Sequence, residues 1–270
     1  QANVFLCIFV ILSAGSFAQQ KKMLTFPEPP RGKGQANVLQ LASAPIDTVR
    51  MAFIGLGQRG SQSLARYMNI QGVNIVALCD LLPEKTDSCQ KILAINNRPP
   101  AVAYTGVDGW KKVCERNDID LVYICTPWQL HTPIAVYAME RGKHVAVEVP
   151  AAVTLEECWK LVNTAEKTRR HCMMLENCCY DFFEMATLQM AQQGVFGEVV
   201  HCEAAYIHDL RRLMFDEQSG YWDMWRLKYN AEHTGNPYPT HGLGPVCQIL
   251  NIHRGDKMNF LVSVSTDQFG

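Results

Sequence analysis

Val49-Arg50-Met51-Ala52-Phe53-Ile54-Gly55-Leu56-Gly57-Gln58-Arg59-Gly60 joins an apolar run to a G-x-G-x-x-G turn. A second apolar run, Val73-Asn74-Ile75-Val76-Ala77-Leu78-Cys79, ends at Asp80, 20 residues beyond Gly60. Strand, glycine turn, helix and acid-terminated strand together make the dinucleotide-binding pattern, so the sequence predicts a bound nicotinamide cofactor. Gly55 permits the tight turn, Gly57 lets the backbone approach a pyrophosphate, and Gly60 lets the new helix lie against the sheet. The free N–H groups of Gln58 and Arg59 at the helix start then face the phosphates. Asp80 is placed to accept both ribose hydroxyls, and its charge repels a 2′-phosphate. NAD is therefore expected over NADP.

Working outward, 270 residues give room for one large or two ordinary domains. A net charge of −1 offers no electrostatic attraction for nucleic acid or an anionic membrane. Val4 to Leu12 is an apolar segment, too short to span a bilayer, and Ser16-Phe17-Ala18 supplies small residues at cleavage-site spacing. Residues 1–18 thus read as an export signal lacking its charged start, which predicts an exported protein, periplasmic or secreted, with no stable membrane anchor. Eleven cysteines invite a disulfide framework, but Cys79 and Cys125 sit in strand-like runs and Cys114, Cys158 and Cys172 in helical or core-bound segments. No C-x-x-C pair suits a metal, so buried free thiols are expected and a metal site is not.

Residues 19–47, rich in Pro, Gly, Lys and Gln, read as an extended lead-in. Residues 48–178 then alternate strands with helices. Helices are expected over Ser61–Met68, Pro83–Ile92, His131–Arg141 and from Thr154 to about Thr168, the last opened by a Thr-x-x-Glu capping box. Strands are expected at Asp120–Pro127, His144–Glu148 and Cys172–Asn177. This alternation predicts an α/β fold, a doubly wound parallel sheet that binds ligands beyond its carboxyl ends, where Asp80, Thr126, Glu148 and Asn177 fall. Residues 179–270 open a second region, with a helix at Glu184–Gln193 and strands at Val199–Tyr206 and Phe260–Ser265.

Gly55 to Gly60 with Asp80, Thr126-Pro127, and an acid and proline at 148 and 150 resemble the glucose-fructose oxidoreductase and inositol dehydrogenase superfamily. Most of that superfamily reads Glu-Lys-Pro where this chain reads Glu148-Val149-Pro150, so the lysine beside the reacting hydroxyl is absent. Glu148-Val149-Pro150-Ala151-Ala152, Glu176-Asn177-Cys178-Cys179-Tyr180-Asp181, Ala205 to Arg211, Trp225-Arg226-Leu227-Lys228 and Tyr238 to Pro245 resemble glycoside hydrolase family 109, whose members are NAD-dependent α-N-acetylgalactosaminidases, several of them exported. The resemblance implies a second α+β domain with an open, mostly antiparallel sheet. It implies cofactor contacts from Gln58, Arg59, Asp80, Trp128, Gln129, Leu130, His131, Glu148, Val149, Asn177 and Tyr238. Substrate contacts are implied from Tyr206, Arg226, Tyr238, Pro239, Thr240 and His241.

Most glycosidases use two carboxylates, with NAD-dependent families as exceptions. The expected route here is redox: hydride leaves sugar C3 for bound NAD, the C2 proton is removed, the aglycone is eliminated, water adds, and the hydride returns. His241 is the expected base for the C3 hydroxyl, since imidazole titrates near neutral pH and Gly242 and Gly244 suggest an exposed loop. Tyr180 is expected to take the C2 proton. Trp128 covers the cofactor or simply packs, His131 has a cofactor or a structural role, and Arg226 holds a substrate oxygen or pairs with a local carboxylate. Two alternatives stay open: an NAD-dependent sugar dehydrogenase that releases NADH, and a non-catalytic NAD- or sugar-sensing module.

Overall fold

The computed structural model describes residues 24–264. The expected export signal, residues 1–18, lies outside the described residues. So does Ser265, the last residue of the expected final strand. By contacts the chain divides after Pro30, and everything below belongs to the unit from Arg31 onward.

Six parallel strands form one sheet in the order β3-β2-β1-β4-β5-β6. They are β1 (Val49–Ile54), β2 (Val73–Asp80), β3 (Val102–Thr105), β4 (Leu121–Ile124), β5 (His144–Val147) and β6 (Cys172–Met174). Between them run α1 (Gln58–Tyr67), α2 (Pro83–Ile95), α3 (Gly109–Cys114), α4 (His131–Glu140) and α5 (Leu155–Thr168). Successive strand residues point to opposite faces, and both faces are apolar here. Ala52, Ile54, Val122 and Val145 pack with Ile134, Ala138 and Leu161 on one side. Met51, Phe53, Leu78 and Tyr123 pack with Leu56, Leu64 and Leu93 on the other.

Register decides where the site lies. Ile54 aligns with Cys79 of β2 and with Ile124 of β4, and Ile124 aligns with Val147 of β5. The next residues, Gly55, Asp80, Cys125 and Glu148, therefore emerge at one edge. The switch in strand order falls between β1 and β4, and a parallel sheet offers its ligand crevice at that point.

The expected helices appear within a few residues of their expected bounds. At α5 the Thr154 side chain accepts from the Glu157 N–H at 3.1 Å, while Glu157 reaches back to the Val153 N–H at 2.9 Å. That closes the capping box one residue earlier than the usual arrangement. β3 and α3 were not foreseen. The described cysteines are all free thiols, as their settings suggested. Burial pushes Cys79, Cys114 and Cys172 up to about 12, which keeps them protonated and inert.

From Arg31 onward the described part of the expected lead-in is tied to α5 and its C-terminal end. Arg31 and Gln35 both donate to the buried carboxylate of Glu166 on α5, at 3.0 and 2.8 Å, and Arg169 donates to the carbonyls of Ala36 and Asn37. The Arg31 bond, followed by that of Gln35, holds the Glu166 carboxyl below its usual range. A carboxyl lowered on folding contributes stability above its unfolded value and loses it as pH falls through the folded one, so acid loosens this tie. Glu166→Ala is expected to raise tryptic cleavage at Lys33 about tenfold at neutral pH, as the loss of charge-assisted bonds requires. Unchanged cleavage would show that the tie is idle.

After β6 a 3-10 turn (Asn177–Cys179) leads to α6 (Phe182–Gln192), α7 (Arg211–Phe215), α8 (Trp225–Glu232) and α9 (Pro239–Ile249). The expected strands of this region are not formed among the described residues: Val199–Tyr206 and residues 260–264 run without a ladder. A strand exists only when a neighbour satisfies its N–H and C=O groups. No described segment pairs its main chain with either stretch, and Val200, Ile207, Phe260 and Leu261 stand exposed.

Candidate active site

Gly55 has φ +91°, and a Cβ on it would lie 2.4 Å from the Cys125 carbonyl oxygen, so the turn lies directly against the end of β4. At Gly57 nothing lies within 4 Å of a Cβ, leaving open space over the first N–H groups of α1. Those groups have no helical acceptor. The Thr126 hydroxyl beyond β4 is buried and without a partner. Open space beside unsatisfied donors, with an orphaned hydroxyl nearby, fits a dinucleotide whose phosphates sit on the helix start.

Asp80 terminates β2 as expected, but its oxygens already work: Oδ2 accepts from the Leu56 N–H at 2.6 Å and Oδ1 from the Leu82 N–H at 3.0 Å. Each carboxylate oxygen keeps a further lone pair for a ribose hydroxyl. Asp80→Ser is expected to weaken NAD binding by about 10- to 100-fold and to narrow the gap between NAD and NADP, read by fluorescence titration of both. An unchanged preference would remove the acid from cofactor choice.

Arg59 donates to Glu148 at 2.9 Å, linking the glycine turn to the end of β5. Glu148 is buried and also accepts from the Tyr123 hydroxyl at 2.5 Å; that hydroxyl is bonded in turn to Ser63 at 2.9 Å. Val149 beside it is buried as well, whereas Gln58, Gln129, Leu130 and Asn177 are exposed. His131 is buried, with Nδ1 2.7 Å from the Pro150 carbonyl and Nε2 2.8 Å from the Thr126 carbonyl. Each ring nitrogen thus faces a main-chain carbonyl, and the neutral ring donates to one of the two. The side chain ties two strand-end loops together and offers no nitrogen to a cofactor. Its burial pushes it below the usual histidine range, against the pull of those carbonyls.

The second region adds an aromatic cluster. His241 lies not on an exposed loop but in the first turns of α9, and it is 9% exposed. The glycines that suggested a loop instead let the helix approach closely: a Cβ at Gly244 would lie 2.9 Å from both Cys179 Sγ and Glu176 Cγ. His241 Nδ1 sits 2.6 Å from Glu176 Oε1, its ring stacks on Tyr238 at 4.9 Å, and Tyr206 leans on it at 4.4 Å. Burial raises the hydroxyls of Tyr206 and Tyr238, the latter to about 12, so both stay protonated and can donate near neutral pH. Among these three rings, base chemistry falls to the imidazole.

Trp128 is buried, packed edge-on by Trp225, Tyr229 and Tyr238, so the packing alternative describes it. Arg226 is also buried but forms no ion pair among the described residues, which sets aside the local carboxylate. Its guanidinium lies 4.9 Å from Trp128, 5.3 Å from Tyr221 and 4.6 Å from Tyr238, donates to the Tyr221 hydroxyl at 2.7 Å, and leaves Nε unpartnered. A buried cation held by ring faces keeps donors for a ligand. Tyr206, Arg226 and Tyr238 line a cleft of about 550 Å³, a volume within the range of small-molecule sites.

The structure therefore gathers Tyr206, Arg226, Tyr238 and His241, with Pro239 and Thr240 in the first turn of α9. Tyr180 stands past the 3-10 turn, 57% exposed. Sequence reasoning missed Glu176, although it too follows a strand end, and Tyr221, whose link to Arg226 runs along a local turn.

Residues 49–176 match the family described as oxidoreductase, NAD-binding Rossmann fold, and residues 180–270 match the C-terminal domain of glycosyl hydrolase 109. The chain thus carries an NAD-binding Rossmann domain. A Bacteroides fragilis protein named alpha-N-acetylgalactosaminidase is 64% identical over 238 residues, covering 87% of this chain and 56% of its own. Glycosyl hydrolase family 109 protein 1 of Bacteroides thetaiotaomicron is 54% identical over 269 residues, covering 98% and 57%. This chain spans about half the length of the curated relatives it matches. A scyllo-inositol dehydrogenase from Lactobacillus casei, solved with NAD(H) and scyllo-inositol, shares the fold at a TM-score of 0.59 over 75% of this chain and 56% of that one, with 18% identity. Two matches that divide the chain at the end of the parallel sheet, with relatives at this identity, leave one assignment: the chain belongs to glycosyl hydrolase family 109.

Proposed function

We propose that the whole protein releases terminal α-linked N-acetylgalactosamine from glycosides, with NAD retained through each turnover. The observation that carries this reading is His241, held by a strand-end carboxylate, stacked on Tyr238 and flanked by the tilted ring of Tyr206 beside a sugar-sized cleft. Gln58, Arg59, Asp80 and Glu148 would hold the cofactor. Bound NAD supplies a reversible hydride acceptor for a sugar carbon. His241 takes the proton of the C3 hydroxyl, and Tyr206 and Tyr238 donate to neighbouring sugar oxygens. Arg226 holds the acetamido oxygen through the N–H groups its aromatic neighbours leave free. Tyr180 takes the C2 proton. With Val149 where the superfamily has lysine, no ammonium competes with His241 for the hydroxyl. The apolar segment Val4 to Leu12 with Ser16-Phe17-Ala18 supports export of the protein.

The test is incubation of the full-length protein with p-nitrophenyl α-N-acetylgalactosaminide in deuterated water. Deuterium at C2 of the released sugar, with no NADH accumulating, is the expected result. Hydrolysis without that label overturns the elimination route, and NADH released in step with sugar oxidation identifies a dehydrogenase instead.

A further inference from the structure

Glu176 ends the parallel sheet as an acid that no cation neutralises: its ion-pair partner among the described residues is His241. Both side chains are buried, at 6% and 7% exposure. Oε1 accepts from the Cys178 N–H at 3.0 Å and meets His241 Nδ1 at 2.6 Å, while Oε2 is buried with no partner. An unpaired buried carboxylate is costly, so this one needs the imidazole. The acid has only an acceptor to offer, which makes Nδ1 the donor and leaves Nε2 as the nitrogen free to take a proton. The ring cannot turn over easily: Tyr238 stacks on it at an interplanar angle of 20° and Tyr206 lies against it.

On the proposed glycosidase reading, we infer that Glu176 is the positioning residue for His241, fixing the Nδ1–H tautomer and balancing the imidazolium formed when Nε2 accepts the sugar hydroxyl proton. In that step the O–H bond breaks, the N–H bond at Nε2 forms, and the electron pair stays on oxygen. The pair passes from one net negative charge to none, so proton uptake relieves the burial cost of the carboxylate. Gly244 belongs to the same device, because any larger residue would push α9 away from Glu176.

The Cys178 sulfur lies 3.5 Å from Nδ1, and the three groups together could suggest a metal site. Two ligands bound to one tetrahedral ion at ~2.1 Å stand roughly 3.4 Å apart, whereas the oxygen and nitrogen here are 2.6 Å apart, the distance of a charge-assisted hydrogen bond. Burial and the neighbouring Glu176 also push the Cys178 thiol up to about 11, which keeps it protonated. A proton fills this site.

The test uses the full-length protein with its cofactor. Glu176→Gln is expected to lower kcat by about 100-fold with KM changed less than about threefold and NAD content unchanged, and Glu176→Asp to recover part of the loss. Independently of turnover, ¹⁵N-histidine NMR of the wild type above neutral pH is expected to show His241 protonated at Nδ1, assigned by its absence in His241→Asn. A resonance showing the proton on Nε2, zinc at one equivalent per chain by elemental analysis, or an undiminished kcat in Glu176→Gln would each overturn the pairing. The Nδ1–H signature in a wild type that hydrolyses no glycoside overturns the glycosidase reading and leaves the pair standing.

Discussion

Replacing His241 with asparagine in the full-length protein is expected to lower kcat for glycoside hydrolysis by about 1,000-fold, the scale of removing a positioned general base. Asparagine keeps an N–H for Glu176, so the buried carboxylate is not stranded and the fold is expected to survive. The groups proposed to hold NAD, Gln58, Arg59, Asp80 and Glu148, lie on elements other than α9 and keep their own partners in this variant, so cofactor content should match the wild type. The combination is diagnostic: full NAD, a normal urea midpoint and almost no product place the loss in the chemistry. Activity within about threefold of the wild type would remove His241 from the reaction and favour a sensing role.

The parallel half of the molecule was legible because its signals are local. Apolar runs of strand length end at Gly, Asp or Pro, helices open with Pro83 or Thr154, and the alternation has one common solution. β3 escaped because it has four residues and lies on the sheet edge, with Val102 exposed, so no apolar run marks it. α9 escaped for a different reason. Pro239, Gly242, Gly244 and Pro245 spell a turn by propensity, but the small residues let the helix lie against Cys179 and Ala204, and tertiary packing outweighs propensity there. The reading of His241 as an exposed loop residue failed through that same error. Glu176 could not be chosen over Asn177 from the sequence, because which strand-end side chain meets α9 is decided by a contact between residues 65 positions apart. Val199–Tyr206 carried a strand pattern, yet a pattern supplies no partner.

The glycine turn separates folding from cofactor binding, and two single-methyl substitutions are expected to show it. At Gly60 an added Cβ would lie 2.0 Å from the Gly55 carbonyl oxygen, which belongs to backbone that the close fit of Gly55 against Cys125 holds in place. Neither side can yield without lifting α1 from the sheet, so Gly60→Ala is expected to cost about 3 kcal/mol or more, read as a lower urea midpoint at unchanged slope. Domains of this kind hold about 5–15 kcal/mol in total, so a large share of stability goes with that methyl. Gly57 is the opposite case. Its φ of −63° and ψ of −166° suit any residue, and no atom waits within 4 Å of a Cβ. Gly57→Ala should therefore leave the urea midpoint within about 0.5 kcal/mol of the wild type, while the methyl occupies the space through which a pyrophosphate reaches the helix start. NAD affinity is expected to fall about 100-fold. Retained affinity in Gly57→Ala would mean that the phosphates do not sit on α1, and the cofactor geometry assigned to this turn would have to be abandoned.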